Sequence, residues 1–517
     1  MGFSDPFPGY SLLLRVIVFG ILPGFAVWQL VRLRKALHVL QLEGYKRRRF
    51  MAWCRSHRRR VLFGPPLSSK RPLVMTGRAW RILVAATALS VVAILGASGA
   101  AHLAAGWPFD VAAWAATTAL VTIGTPELIA VADWALQPVQ SSINGRFTRA
   151  ALRRLAEVDP VVIGVTGSFG KTSTKFAIAG TLEPEEAVYA TPGSYNTPLG
   201  VVRAINEHLL PSHRWFVVEM GAYGRGEIAQ LSDLVNPRVG VLTAIGPAHL
   251  ERFGSMEAIR ATKYELIESL PEQGLAVMNS DDSEVRALAE ATSHVAVVRY
   301  GLDERWSPEL TAADVRTTPQ GTAFRVIDTR TAESVAVTTR LLGPHSPRHA
   351  LAAVAVATHF GAPLEDVVRR LARLRPVEHR LQLVEGTGGV TVIDDAFNSN
   401  PEGAEAALEV LGAMPARRRV VVTPGIVELG DLQFEANRRL GQRAATVADA
   451  LIVVADVNRE AICAGAEDAD GGVQLVTVSS LAEARSRLED LLEPGDAVLF
   501  ENDLPGHQET ASESPRP

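Results

Sequence analysis

The stretch DPVVIGVTGSFGKTSTKFAIAG at 159–180 holds the residue types that bind a phosphate group. Val161–Val165 is a short, β-branched apolar run, which predicts a buried strand, and an Ala-rich helical run begins after Lys171. Between them Gly167 and Gly170 let backbone N–H groups close on phosphate oxygens, the helix N-terminus adds partial positive charge, and Lys171 adds a full one. Thr172 is placed to reach a bound magnesium ion. The strict form of such a loop has Gly where this chain has Val165, so the pattern is the narrower T-G-x-x-G-K-T-S-T, from Thr166 through Gly167, Ser168, Gly170, Lys171, Thr172 and Ser173. The bland alternative is a glycine-rich turn between strand and helix, and the flanking context favours a nucleoside triphosphate site.

That variant resembles the loop of the Mur ligases, and further matches follow in the family's order. FVVEMGAYGRGEIAQL at 216–231 is similar to the strand that ends in a metal-binding Glu, here Glu219. LTAIGPAHLERFGS at 242–255 resembles the loop with a metal-binding His, here His249, and ATKYEL at 261–266 the helix whose lysine is carbamylated, here Lys263. GPHSPRHALAA at 343–353 resembles a nucleotide-contacting turn with His345, and EHRLQLVEGTGGVTVIDDAFNSNP at 378–401 the start of the family's third domain. The wording DDAFNSNP and the VELGD of 427–431 stand nearest to members that add D-alanyl-D-alanine to a UDP-N-acetylmuramoyl-tripeptide.

The resemblance implies ATP-driven activation of a carboxylate as an acyl phosphate, then attack by an amine to give an amide. A carboxylate must approach a γ-phosphate of the same sign, so cations must screen the repulsion and hold the atoms in line. It assigns the catalytic set Lys171, Lys263, His249 and Arg380, with Arg380 reaching the γ-phosphate from the domain boundary. Thr172, Glu219, His249 and a carbamylated Lys263 would serve two Mg2+ ions. Asn196, His345, Asp394, Asp395 and Asn398 join the ATP contacts. Each has an ordinary alternative: Arg380 as a surface arginine among Arg370, Arg373 and Arg375, the Asp/Asn group as turn and cap residues, Lys263 as an exposed helix lysine.

This chain also departs from the family. The nucleotide turn carries His345, Ser346 and His349 where the family has asparagines, and a strand that ends Thr-Asn reads Thr243-Ala244. The C-terminal Lys-Gly-Ser-Arg of near relatives reads FENDLPGH at 500–507. No soluble UDP-sugar module precedes the phosphate loop.

The elements needed to position these residues read as α/β. A mostly parallel central domain is expected over 151–383, with 308–342 a small β-rich annex, then a smaller doubly wound, Rossmann-like domain over 384–505 and a disordered tail at 506–517. Residues 1–150 are expected to be a membrane region, with candidate spans at 12–31, 82–106 and 111–132. Three buried helices of a soluble domain are the competing reading.

The overall charge of −4 hides an asymmetry. Residues 1–150 hold 18 Lys+Arg against 5 Asp+Glu, and the remainder holds 34 against 51. Fifteen of the basic residues lie in 32–81, beside one acid, which is the pattern of a cytoplasmic loop between spans facing anionic lipid. The expectation is a multi-pass cell-membrane protein with its catalytic domains in the cytoplasm and no nucleic-acid partner. Cys54 and Cys463 rule out a disulfide framework. The function expected is a ligase acting on a cell-envelope precursor carboxylate and an amino-acid or dipeptide amine. The alternatives are a membrane-associated poly-γ-glutamate-like synthase and an ATP-binding membrane scaffold. No feature of the sequence fixes an oligomeric state.

Overall fold

The computed structural model describes residues 8–58, 72–106, 109–182, 185–193, 195–318, 320–397, 399–469 and 472–502, and of residues 8–23, 385 and 387 the backbone alone. Asn398 and the expected tail at 506–517 lie outside these residues. Two compact units divide the chain, one ending at Gly145 and one starting at Arg146.

The first unit is helical: Pro8–Leu42, Arg47–Ser56, Gly77–Ala105, Phe109–Ile123 and Thr125–Ala135. Leu33, Leu37, Leu40, Phe50, Ile82 and Ile129 form its buried centre. The multi-pass membrane expectation needs correction here. Gly77–Ala105 is long and apolar enough to cross a membrane, and the count among the described residues rises to two only if a bent pair is one span. The run expected to span at 111–132 is that pair, two helices bent by 76°. Pro126 supplies the reason, since proline lacks an N–H and clashes with the preceding turn, so it opens a new helix after Gly124.

Part of the basic stretch 32–81 is turned inward. Arg32 lies within the first helix and donates to Thr122 O at 2.7 Å, while Arg78 and Arg47 meet the buried Asp133 carboxylate at 2.8 and 3.7 Å. These three charges, read as lipid-directed, are engaged inside the helical unit. The expected three-span, multi-pass architecture is thus corrected to one candidate spanning helix among the described residues, or two if the bent pair is one span.

The second unit is α/β, as its alternation of apolar runs and helical patterns predicts. Its larger sheet has the order β2-β3-β1-β4-β5-β6-β7-β8-β9. The strands are β1 (Val161–Thr166), β2 (Val188–Ala190), β3 (Trp215–Glu219), β4 (Val239–Leu242), β5 (Leu275–Asn279), β6 (Ala296–Gly301), β7 (Leu310–Thr318), β8 (Gly321–Asp328) and β9 (Glu333–Thr339). Pairings from β2 through β7 are parallel, and β7, β8 and β9 pair antiparallel. The small β-rich annex expected at 308–342 is the antiparallel end of this sheet, continuous with its parallel part through β6.

Both faces of the parallel part are covered, which is why its strands are unbroken apolar runs. Ile163, Val165, Val217 and Val241 pack with the helix Ser346–His359, whose residues Ala350–Ala357 are all buried. Val162, Phe216 and Val218 face Val201, Ile205 and Leu231 on the other side. The small side chains of the Ala-rich helix allow its backbone to lie close against the sheet.

The smaller sheet has the order β10-β11-β15-β12-β13-β14. Its strands are β10 (Gln382–Glu385), β11 (Thr391–Asp395), β12 (Arg419–Thr423), β13 (Ala450–Val454), β14 (Gln474–Val478) and β15 (Ala497–Glu501). All pairings are parallel except β10 with β11. Such a sheet offers its binding edge at the carboxyl ends of the strands.

Candidate active site

Strand β1 lies between β3 and β4, with Val165 opposite both Glu219 and Val241. This register delivers the glycine loop, the end of β3 and the start of the 243–249 loop to one place. Gly167 has φ +148, and a Cβ there would sit 2.1 Å from Thr243 Oγ1; Gly170 has φ +75 and faces His349 Cε1 at 2.9 Å. Only glycine combines these backbone angles with so little room. Ser168 N donates to Ala244 O at 2.7 Å, Thr243 Oγ1 donates to Phe169 O, and Gly246 N donates to Ser168 Oγ at 3.0 Å. The 243–246 segment therefore clamps the loop from one side.

Lys171 opens the helix Lys171–Ala179 and folds Nζ back onto Gly167 O at 2.6 Å and Ser168 O at 3.1 Å. Burial lowers its ammonium to about 8, with the Glu219 charge opposing and the Arg380 charge adding to the fall. Thr166 plays a structural part, donating Oγ1 to Met220 O at 2.9 Å. Ser173 is half-buried in the first turn of the same helix.

Glu219 is the hub. Its Oε2 accepts from Thr172 Oγ1 at 2.9 Å and from Lys175 Nζ at 3.4 Å, and its Oε1 accepts from Asn196 Nδ2 at 3.0 Å. The sequence reading missed Lys175, which is fully buried and also donates to Thr191 O at 2.6 Å and Gly193 O at 2.8 Å. Its local pattern shows only a lysine one helical turn after Lys171, just before the apolar run F-A-I-A. Asn196, expected against the nucleotide, serves here to hold the carboxylate.

The remaining cations gather around this hub. Lys263 lies buried in the helix Met256–Glu268. Burial and then the Lys171 charge bring its amine down to about 7, against the opposing charges of Glu227 and Glu265. Burial also lowers Arg380, while the charges of Asp395 and Glu219 oppose that shift; its guanidinium carbon stands 4.7 Å from the Phe397 ring centre. Arg380 is thus a half-buried residue within electrostatic reach of the loop.

His249 meets a different partner. Its Nδ1 bonds Glu428 Oε2, and Arg252 bonds the other oxygen of the same carboxylate. The Tyr223 ring stands edge-on to His249 at 4.9 Å. Burial raises the Glu428 carboxyl, but the His249 bond and the His249 and Arg252 charges outweigh it and hold the group below the usual carboxylate range. Glu428 had been noticed only as part of VELGD, without a role.

The nucleotide turn is occupied by its own contacts. His345 Nε2 lies 3.3 Å from Glu402 O, Arg348 Nε donates to Asp281 at 2.7 Å, and His349 Nδ1 lies 2.9 Å from Thr174 Oγ1. Burial brings His349 down to about 3, so it is neutral at physiological pH. Asp394 pairs with His379 Nδ1 at 2.7 Å, and Asp395 accepts from Leu381 N at 3.1 Å.

Thr172 and Glu219 give a hydroxyl and a carboxylate at the mouth of a phosphate loop. Those hard oxygen donors suit Mg2+, which binds through few protein oxygens and keeps phosphate and water for the rest. No group of three His, Cys, Asp or Glu side chains able to hold a metal occurs among the described residues.

A nine-stranded α/β sheet with a clamped phosphate loop, joined to a smaller parallel sheet, defines a two-domain nucleotide-dependent ligase. Residues 165–357 match the Mur ligase middle domain and residues 379–501 the Mur ligase, glutamate ligase domain. The chain is 35% identical over 364 residues to the UDP-N-acetylmuramoyl-tripeptide–D-alanyl-D-alanine ligase of Mycobacterium tuberculosis, covering 65% of this chain and 69% of that one. The enzyme of the same name from Escherichia coli is 33% identical over 302 residues, covering 57% and 66%. Among solved structures, MurF from Acinetobacter baumannii superposes with a TM-score of 0.62 at 28% identity, covering 71% of this chain and 79% of that one. MurF ligase from Thermotoga maritima in complex with ADP gives 0.61 at 27%, covering 70% and 80%. The chain belongs to the Mur ligase family of ATP-dependent acid–amino-acid ligases.

Proposed function

We propose that this chain uses ATP to activate the terminal carboxylate of a UDP-N-acetylmuramoyl-tripeptide as an acyl phosphate and joins it to the amine of D-alanyl-D-alanine. The observation that carries this reading is the Glu219 hub, which ties Thr172, Lys175 and Asn196 to the mouth of the phosphate loop. Lys171, Lys263 and Arg380 add positive charge around it. We assign 151–383 to the ATP-binding domain and 384–505 to the domain that presents the amine.

Anion must meet anion in this reaction, so the first task of the site is screening. Lys171 at the loop and Arg380 at the domain boundary offset the charge of the phosphates and the approaching carboxylate. Holding the two reactants in line then makes the first bond formation effectively intramolecular. Thr172 and Glu219 would hold one Mg2+, and His249 with a Lys263 carbamate a second. When bound, such ions neutralise charge on phosphate and carboxylate oxygens. Lys263 suits carbamylation because burial leaves a substantial neutral-amine fraction near pH 7, the form that adds CO2.

The test is product analysis. Purified protein with ATP, UDP-N-acetylmuramoyl-tripeptide and D-alanyl-D-alanine should release ADP and phosphate only when both substrates are present. Mass spectrometry should show the two joined with loss of one water. ATP turnover indifferent to both substrates, or none, defeats the proposal.

A further inference from the structure

Glu428 comes from the smaller domain yet closes on His249 of the larger one, 179 residues away in sequence. A surface ion pair needs no special backbone, but this contact has it on both sides. His249 has φ +57 and Glu428 φ +66, a left-handed conformation that residues other than glycine rarely adopt. Such strain persists only where the surroundings over-determine it, and it clusters at functional positions.

The surroundings do over-determine it. The loop after β12 that carries Glu428 is held by two buried asparagines. Asn437 accepts from Ile426 N at 2.8 Å and donates to Ile426 O at 2.8 Å; Asn458 donates to Pro424 O at 3.0 Å and Ile426 O at 3.1 Å. Gly425, at φ +79, has no room for a Cβ, which would lie 2.3 Å from Asn437 Oδ1. At the tip, Arg252 fixes the second carboxylate oxygen and is itself stacked 4.5 Å over the Tyr223 ring. Tyr223 also meets His249 edge-on, so ring and carboxylate are each held from two directions.

An ionised carboxylate can only accept, so His249 carries a proton on Nδ1, and in the neutral ring Nε2 is then the atom left with the lone pair. We infer that Glu428 is a positioning residue for the ligation reaction, setting the tautomer and ring orientation of His249 only while the two domains are docked. The pairing matches the carboxylate–imidazole arrangement by which proteins orient a ligating histidine. It rests on the proposed ligase reaction, in which His249 faces an ion or a substrate N–H through Nε2. Docking of the amine-presenting domain thereby completes a group that belongs to the ATP-binding domain.

The experiment combines kinetics with nitrogen NMR of histidine-labelled, metal-free protein, the His249 signal being assigned by its loss in His249→Gln. Wild type should show the Nδ1–H tautomer. Glu428→Met, which cannot accept, should release the ring to a mixture dominated by Nε2–H and cut kcat for ligation about 10–100-fold. KM for ATP should stay within about twofold, since the phosphate loop is untouched. Glu428→Gln keeps an acceptor oxygen and should restore the tautomer and part of kcat. An Nε2–H tautomer in wild type, a Met variant with wild-type kcat, or a fall in kcat with the tautomer unchanged would each overturn the inference. The wild-type spectrum decides the tautomer even if the Met variant fails to fold. A wild-type protein that forms no amide fails the proposed function, and the tautomer result stands apart from it.

Discussion

Lys175 Nζ stands 3.4 Å from Glu219 Oε2, with both side chains sealed from solvent. A buried pair is costly to break because the survivor keeps its charge without a partner. Burial lowers the Lys175 ammonium, while the charge and hydrogen bond of Glu219 oppose that. Lys175→Met should therefore destabilise the protein by about 3–5 kcal/mol in urea unfolding. ATP turnover should fall with it, since Glu219 loses one of the groups that orient it toward Thr172. A loss below about 1 kcal/mol would show that the pair is not the structural centre of the site.

The glycine at the start of the loop makes a sharper steric prediction. A Cβ at Gly167 would lie 2.1 Å from Thr243 Oγ1, the hydroxyl that bonds Phe169 O, and φ +148 is hostile to any side chain. Gly167→Ala should weaken ATP binding at least about tenfold by calorimetry, equivalent to about 1.4 kcal/mol. The fold should survive, because β1 and its neighbours keep their apolar packing. Unchanged ATP affinity would mean the loop shifts freely, contrary to its clamping by the 243–246 segment.

Lys263 tests the carbamate. Lys263→Ala should abolish ligation and leave ATP binding intact, because the residue touches neither the loop glycines nor Thr172. Short carboxylic acids added to the variant should restore part of the rate by supplying the missing anion. Stripping CO2 from wild-type enzyme should lower its rate, and bicarbonate should return it. Full activity of Lys263→Ala refutes the assignment.

What the sequence revealed follows from the range of the interactions. Val161–Thr166, the two glycines and Lys171 are a local pattern, so strand, loop and helix were readable from a dozen consecutive residues. Lys175 and Glu428 were not, because each gains its meaning from a partner 44 or 179 residues away. Arg380 could be told from a surface arginine only once its burial beside Phe397 was visible. In the first unit the apolar runs were read as continuous spans, but Pro126 breaks one, and Asp133 draws in arginines that composition alone assigned to lipid. A length-and-hydropathy argument sees neither event. The join of the β annex to the main sheet was not legible for a related reason: the Tyr300↔Leu310 pairing of β6 with β7 leaves no local mark.

The smaller sheet predicts a pH dependence. Glu501 on β15 pairs in register with Asp395 on β11, is fully buried, and accepts from Thr423 Oγ1 at 2.9 Å and from Ser399 Oγ. Burial pushes its carboxyl up to about 7; the bonds from Ser399 and Thr423 pull against that, and the Asp395 charge adds to it. Burial also raises Asp395, to about 6, against the Arg380 charge. In the unfolded chain a glutamate titrates near about 4.3, so between about pH 4.3 and 7 the folded state binds more protons than the unfolded one. The stability from this group is complete below the unfolded value and is lost as pH rises through 7. Glu501→Gln mimics the protonated form and should remove that loss. At pH 8 the variant should be more stable than wild type by the order of about 3 kcal/mol, and near pH 5 the gap should shrink to about 1 kcal/mol. Urea unfolding at pH 5, 6.5 and 8 reads the difference directly. Parallel stability curves for the two proteins would mean that Glu501 is ionised in the fold, and that Ser399 and Thr423 overcome its burial.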